Sequence, residues 1–425
     1  MRSWGFVCVG VLAVGCSNDV DPRVIPGGGV GDGEIDGELN VYVIDNQTDA
    51  PIANATVEVG GTEKDTDEHG LVVFENVEGR QQVAVKVSGY RMAVWVGVNG
   101  ANVTLPLTKL EAATPPQATL SGTIDNWQQD LPQGHAKAAL VLYSQTDQLG
   151  DDANNISTPL MGNICFGLAN CSWRVAVRTG KVTLAAAIID RDGKGTPAED
   201  DDTNTIIGWA IKENITVEDG VDQSGMTLAP VEAGNLQNVT VDLGTPPAAL
   251  TTHQSLVGIE LGDHEVLQMA TFLQEDSTHV LAPKPAAFAS GTAYRLTAIA
   301  QAPDLEAQTI VLRQKLSGTT LSAGEWIVPP TGITLSLTAA SFVPSADAKA
   351  HNVQWRNSTG DTILEMLVLD GSTEVEIPAL VALPSSGVTR GVVQAIGADF
   401  DLSDFSLDDD RELLWGVAAQ NADVE

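Results

Sequence analysis

Residues 38–43 read Glu38-Leu39-Asn40-Val41-Tyr42-Val43, with Leu39, Val41 and Val43 at every second position. Side chains two apart on a β-strand share a face, so this spacing describes a strand with one apolar side. The same period returns in Ala55, Val57 and Val59, in Val83, Val85 and Val87, and in Val103, Leu105 and Leu107. Separate runs of period two predict a half-buried antiparallel sheet. Turn signals part them: Asp45-Asn46, Gly60-Gly61, Asp67-Glu68-His69-Gly70 and Val98-Asn99-Gly100. Gly70 is expected to supply a positive φ between two strands.

Within this stretch, Pro51-Ile52-Ala53-Asn54-Ala55-Thr56-Val57, Asp65 to Phe74 and Ser88-Gly89-Tyr90 follow in that order. Residues 38–107 therefore resemble the carboxypeptidase regulatory-like domain, a transthyretin-like (prealbumin-like) β-sandwich. The resemblance implies a rigid spacer or binding accessory. It does not bring a peptidase with it, because no histidine of the chain is followed by the x-x-Glu that such a zinc enzyme needs.

The pattern continues beyond residue 107. Residues 108–117, TKLEAATPPQ, read as a linker through Pro115-Pro116. A second β-rich body is expected over 118–243, with the apolar run Val182 to Ile189 among its strands, and a third over 250–425 after Gly244-Thr245-Pro246-Pro247. Helical periodicity is scarce, and Glu265 to Leu273 is the one short helix expected. The fold class is all-β, a tandem array of β-sandwich domains.

The N-terminal residues concern location. Met1-Arg2-Ser3 precedes an apolar stretch from Trp4 to Val14. A bilayer span needs roughly 20 residues, so this run is too short to cross and suits the apolar part of a signal peptide. Ala13-Val14-Gly15-Cys16 resembles the lipobox of bacterial lipoproteins, although Ala13 stands where Leu is commonest. The resemblance implies removal of residues 1–15 and a diacylglycerol on Cys16. Ser17 in place of Asp implies passage to the outer membrane or cell surface. An ordinary signal peptide with an incidental cysteine is the alternative. Residues 16–37, with Pro26-Gly27-Gly28-Gly29, read as anchor and flexible tether.

The chain has 22 Lys and Arg against 56 Asp and Glu, a formal charge of −34. Such a field repels nucleic acid and anionic headgroups. The partners expected are the membrane, through the lipid, and an envelope protein or polysaccharide. Cys165 and Cys171 remain after the anchor and Cys8 are set aside, and two thiols in an oxidising compartment are expected to pair.

One stretch is a candidate for chemistry. Asp190-Arg191-Asp192-Gly193-Lys194-Gly195 follows an apolar strand, and Glu199-Asp200-Asp201-Asp202 comes after it. Spaced carboxylates in a glycine-bearing loop can curl round calcium, which makes Asp190, Asp192, Asp200 and Asp201 the candidate ligand set. Lys194 falls where an EF-hand loop needs a ligand oxygen, so a plain acidic hairpin is the competing reading. Asp399, Asp401, Asp404 and Asp408 to Asp410 raise the same question. No cofactor other than calcium is indicated. Neither a His-Glu-x-x-His motif nor a Gly-x-Ser-x-Gly elbow occurs. The histidines at 69, 135, 253, 279 and 351 are scattered and expected at surfaces or turns. The sequence points to a non-enzymatic, envelope-anchored binding or scaffolding protein. The alternative is a hydrolase with unrecognised carboxylates in residues 118–425.

Overall fold

A computed structural model describes residues 34–425 apart from 47, 49, 111–116, 128–130, 147–163, 167–169, 194–202, 263–264, 274–276 and 399–413. The described chain is all-β, and its only helical turns are the short 3-10 segments Ala233–Asn235, Pro285–Ala287 and Ala379–Val381. None of its helices is long and apolar enough to cross a membrane. Cys16 lies outside the described residues, as do the C-terminal acidic positions 399–410.

The chain divides into two compact units. Among the described residues, unit 1 holds 34–110 and 327–425, and unit 2 holds 117–326. The stretch 250–425, which the sequence suggests is one body, is thus shared between the units at Trp326/Ile327.

Unit 1 begins with a sandwich. Strand Asp36–Asp45 pairs antiparallel with Leu71–Glu78 and parallel with Asn102–Leu107. The facing sheet runs Thr62–Asp65, Thr56–Val59, Gln81–Lys86, Met92–Val98. Leu39, Val41, Val43, Val57, Val83, Val85, Val103, Leu105 and Leu107 meet in one core, as the period-two spacing requires. Gly70 has φ +71°, and a Cβ there would lie 2.5 Å from the Val43 carbonyl oxygen. Asp67 stabilises this turn by accepting the His69 and Leu71 N–H groups at 2.8 and 3.0 Å.

The second sheet does not stop at Met92–Val98. Strand Thr362–Val368 adds to it in parallel, followed by Ala350–Asn357, Val388–Ala398 and Leu414–Asp423. A three-stranded sheet of Thr331–Leu335, Ala339–Val343 and Glu374–Glu376 supplies Leu335, Ala340, Phe342 and Val375 to a second core. That core takes Ala84 and Val94, while Val83, Val85, Ala93 and Trp95 face the first. Strands Gln81–Lys86 and Met92–Val98 are therefore covered on both faces, which is why Met92-Ala93-Val94-Trp95-Val96 is apolar without a break. Asp45 secures the end of the sandwich: its buried carboxylate accepts the Tyr90 hydroxyl at 2.6 Å and pairs with Lys109 Nζ at 2.7 Å. That pairing raises the Lys109 ammonium above its ordinary value, and burial chiefly, with Asp45, raises the Tyr90 phenol.

Unit 2 follows the same plan. A seven-stranded sheet runs in the order Ile164–Phe166, His135–Tyr143, Gly180–Asp192, Thr203–Val217, Gln223–Pro230, Gln117–Ile124, Ser172–Arg178. It curls until its first and last strands meet, and the Cys165–Cys171 disulfide, with Cα atoms 5.4 Å apart, joins them. Leu184 and Ala186 face the core inside this curl. Ala185 and Ala187 face a second core, shared with Thr252–Leu261, Glu265–Leu273, Gly291–Gln301 and Ala307–Leu316 on one side and Leu236–Asp242, Ser277–Pro283 and Thr320–Ser322 on the other. Glu265–Leu273 is thus a strand and not the helix expected. Its pairing with Thr252–Leu261 puts Leu267 and Met269 into this core, and tertiary pairing overrides local propensity. Three core indoles have satisfied N–H groups: Trp209, Trp326 and Trp355 donate to the Leu281, Leu243 and Ser336 carbonyl oxygens.

Candidate functional site

The curled sheet of unit 2 has one end where its connections gather. Strand Gln117–Ile124 finishes there and His135–Tyr143 begins there; Gly180–Asp192 finishes and Thr203–Val217 begins. Backbone bonds from Ile124 N to Cys171 O and from Asp125 N to Leu228 O hold the neighbouring strand ends at the same level. Mouths of closed sheets are recurrent ligand positions, because loops of different origin converge over one core.

The side chains at this end follow from strand parity. His135, Lys137, Ala139 and Val141 share a face, and Ala139 and Val141 point into the inner core. On the neighbouring strand Ala186, Ile188, Asp190 and Asp192 share the corresponding face. The register sets Asp190 opposite Lys137 and Asp192 opposite His135. The apolar rows of both strands therefore end in polar side chains at the mouth. His135 Nδ1 hydrogen-bonds Asp190 Oδ1 at 2.8 Å, and His135 Nε2 stands 3.7 Å from Asp192 Oδ1. Lys137 Nζ lies 5.1 Å from the ring centre of Trp127, which is itself buried against the core. An imidazole between carboxylates and an ammonium on an indole offer donors and acceptors over an apolar floor, chemistry suited to a hydroxylated or amide-rich ligand.

This arrangement changes the sequence picture in one respect. Asp190 and Asp192 belong to a strand and not to a loop, because the strand stays paired on both sides as far as Asp192. Asp200 and Asp201 lie outside the described residues. Among the described residues no group of three or more His, Cys, Asp or Glu side chains is placed to hold a metal ion. His135 is 55 positions from Asp190, so neighbourhood in sequence does not suggest the contact. The signal that could have found it is the period-two row His135, Lys137, Ala139, Val141, polar at one end and apolar at the other.

The other sequence candidates are placed elsewhere. Cys165 and Cys171 close the sheet at the same end as the mouth. Glu265 is buried, with one oxygen 3.3 Å from Arg178 Nη2 and accepting the Ser144 hydroxyl at 3.2 Å. His351, expected at a surface or turn, is buried in unit 1 against Phe342 and accepts the Ser345 N–H at 3.3 Å; burial lowers its pKa to about 4. Unit 1 also has a polar cleft of about 250 Å³ lined by Arg80, Gln82, Gly97, Asp370, Glu374 and Glu376. Gly97 is its point of closest approach, since a Cβ there would lie 2.5 Å from that of Asp370.

No family model matches the chain, and no curated protein matches it. Among solved structures it is similar to the Bacillus anthracis TIE protein at 10% identity and a TM-score of 0.15, covering 67% of this chain and 49% of that one. The chain thus spans about half the length of that protein. The full-length major pilin SpaD of Corynebacterium diphtheriae aligns at 11% identity and a TM-score of 0.14, over 67% of this chain and 95% of its own. Trypsin-activated alpha-2-macroglobulin from Escherichia coli aligns at 9% identity and a TM-score of 0.16, over 95% of this chain and 32% of its own. At TM-scores of this size none of these proteins lends its function to the chain.

Proposed function

We propose that this protein is a non-catalytic binding protein of the cell envelope. In this reading it is held to the outer membrane or cell surface by lipid on Cys16 and recognises envelope polysaccharide through the mouth of unit 2. The resemblance of residues 38–107 to a regulatory-like domain, which implies a spacer or binding accessory, agrees with a non-catalytic role.

The observation that carries the reading is the cluster of Trp127, His135, Lys137, Asp190 and Asp192 at the end where unit 2's connections gather. His135, Lys137, Asp190 and Asp192 sit on paired strands, so these donors and acceptors are pre-organised and little ordering cost attends binding. The formal charge of −34 selects for neutral or cationic polymers over nucleic acid.

The test is retention of the full-length protein on immobilised envelope polysaccharides, with Lys137→Ala and Asp190→Asn compared against wild type. Retention that falls in both variants while the fold is kept supports the reading. Equal retention of all three removes the mouth from it. Turnover of glycosides, esters or peptides by the wild type would replace it with the hydrolase alternative. In parallel, Cys16→Ala should move the protein from the membrane fraction to the soluble one; an unchanged membrane fraction would remove the anchor.

A further inference from the structure

Three of the arginines of this acidic chain meet at one end of unit 1's extended sheet. Arg356, on Ala350–Asn357, lies directly opposite Arg390, on Val388–Ala398. On its other side it is opposite Thr362, at the start of Thr362–Val368. That strand pairs in parallel with Met92–Val98, Glu365 beside Ala93. Arg91 is two residues before Ala93, so it falls on the same face as Glu365 and toward the same end as Arg356.

Like charges directly opposite each other on a sheet are destabilising. At Arg356 the surrounding groups do not fully offset this. Arg356 Nη2 donates to Gln354 Oε1 at 2.7 Å, while its buried Nε has no hydrogen-bond partner. Burial first, then the fields of Arg91 and Arg390, hold the Arg356 guanidinium below its ordinary pKa. Arg390 Nε stands 3.6 Å from Asp423, a carboxylate that is 87% exposed. Glu365 lies on the same face as Arg91; burial chiefly raises its pKa, opposed by the field of Arg91. Asp361 is exposed, and hydrogen bonds from Thr359 and Asn357, with Arg91 contributing last, lower its pKa.

We propose that this end of unit 1 binds a small oxyanion, the carboxylate or phosphate group of a low-molecular-weight ligand, between Arg356, Arg390 and Arg91. Guanidinium groups match such oxygens with paired N–H donors. The charge of the whole chain turns away a polyanion, which restricts the site to a ligand with one such group. The site is separate from the mouth of unit 2 and stands or falls independently of it.

The experiment is a titration of the full-length protein, followed by calorimetry and by the melting of unit 1. Sodium phosphate and sodium glucuronate are compared with sodium chloride at matched ionic strength. Wild type should bind one of the two oxyanions saturably, and the stronger of the two assigns the source as phosphate or acidic sugar. Arg356→Gln should weaken binding by roughly tenfold or more, the loss expected for a charged hydrogen-bonded contact. Arg390→Gln, at a half-exposed position, should weaken it too and serves if Arg356→Gln does not fold. Glu365→Gln removes an internal competitor and should tighten binding. A wild type that responds to phosphate and glucuronate as it does to chloride overturns the proposal. So does an unchanged affinity in both arginine variants, or a loss of affinity in Glu365→Gln.

Discussion

His351 shows how a single side chain ties stability to pH. Its ring is buried against Phe342, and its Nε2 accepts the Ser345 N–H, which holds the imidazole neutral. Burial lowers its pKa to about 4, while the unfolded chain keeps the ordinary value near 6.5. The unfolded state therefore binds the proton more tightly between those values. The contribution is complete above about pH 6.5 and is lost as pH falls, the loss amounting to about 3 kcal/mol once pH reaches about 4. Urea unfolding of unit 1 at pH 7 and pH 5 should show wild type losing about 2 kcal/mol more than His351→Gln over that interval. Equal losses would mean that His351 is not buried as described. Asp190 makes a different point at this scale. The sequence marks it as the residue most suggestive of chemistry, but its partner His135 is distant in sequence and emerges only when the strands pair.

At the scale of elements, turns and closures decide what the strands can do. Gly70 holds φ +71° where a Cβ would press on the Val43 carbonyl oxygen and Pro51. Gly70→Ala should destabilise unit 1 by about 2 kcal/mol, from the left-handed backbone and the contact together, and leave the melting of unit 2 in place. A variant as stable as wild type would refute the turn. In unit 2 the disulfide closes a sequence separation of 6 and joins the two edges of the curled sheet. Its loss should cost about 2–3 kcal/mol in the chain-entropy account and should lower the melting of unit 2 alone. A drop in unit 1's melting of the same size would contradict that.

The legibility of these elements differs for a physical reason. Leu39, Val41 and Val43 alternate with polar residues and announce a half-buried strand. Val83-Ala84-Val85 obeys the same period, but Ala84 is small enough to suit either environment, and the structure buries it under the second core. Nothing local marks Glu265–Leu273 as a strand, because its pattern becomes decisive only beside Thr252–Leu261.

At the scale of the molecule, unit 1 is assembled from the two ends of the described chain. The sandwich at 38–107 is legible from its own residues, but the strands that cover its second face begin beyond Ile327, and no periodicity encodes so distant a return. A fragment of residues 34–110 would expose Ala84, Val94 and the edge of Met92–Val98 that Thr362–Val368 completes. Exposed apolar edges of this kind associate. The fragment should therefore aggregate or melt well below intact unit 1, and joining it to residues 327–425 through a flexible linker should restore the unit. A fragment that is monomeric and as stable as the intact unit would show that the second core is dispensable. Beyond this dependence of unit 1 on its far segment, the two-faced burial of Gln81–Lys86, Met92–Val98 and Val182 to Ala187 gives each unit a stiff centre.

The central claim, that the mouth of unit 2 is where this protein takes its ligand, is tested most directly by amide hydrogen exchange of the full-length protein with and without a bound envelope polysaccharide. The account predicts added protection in peptides spanning 125–137 and 188–205 and little change in unit 1. Protection confined to unit 1, or to the faces of unit 2 away from its mouth, would contradict it.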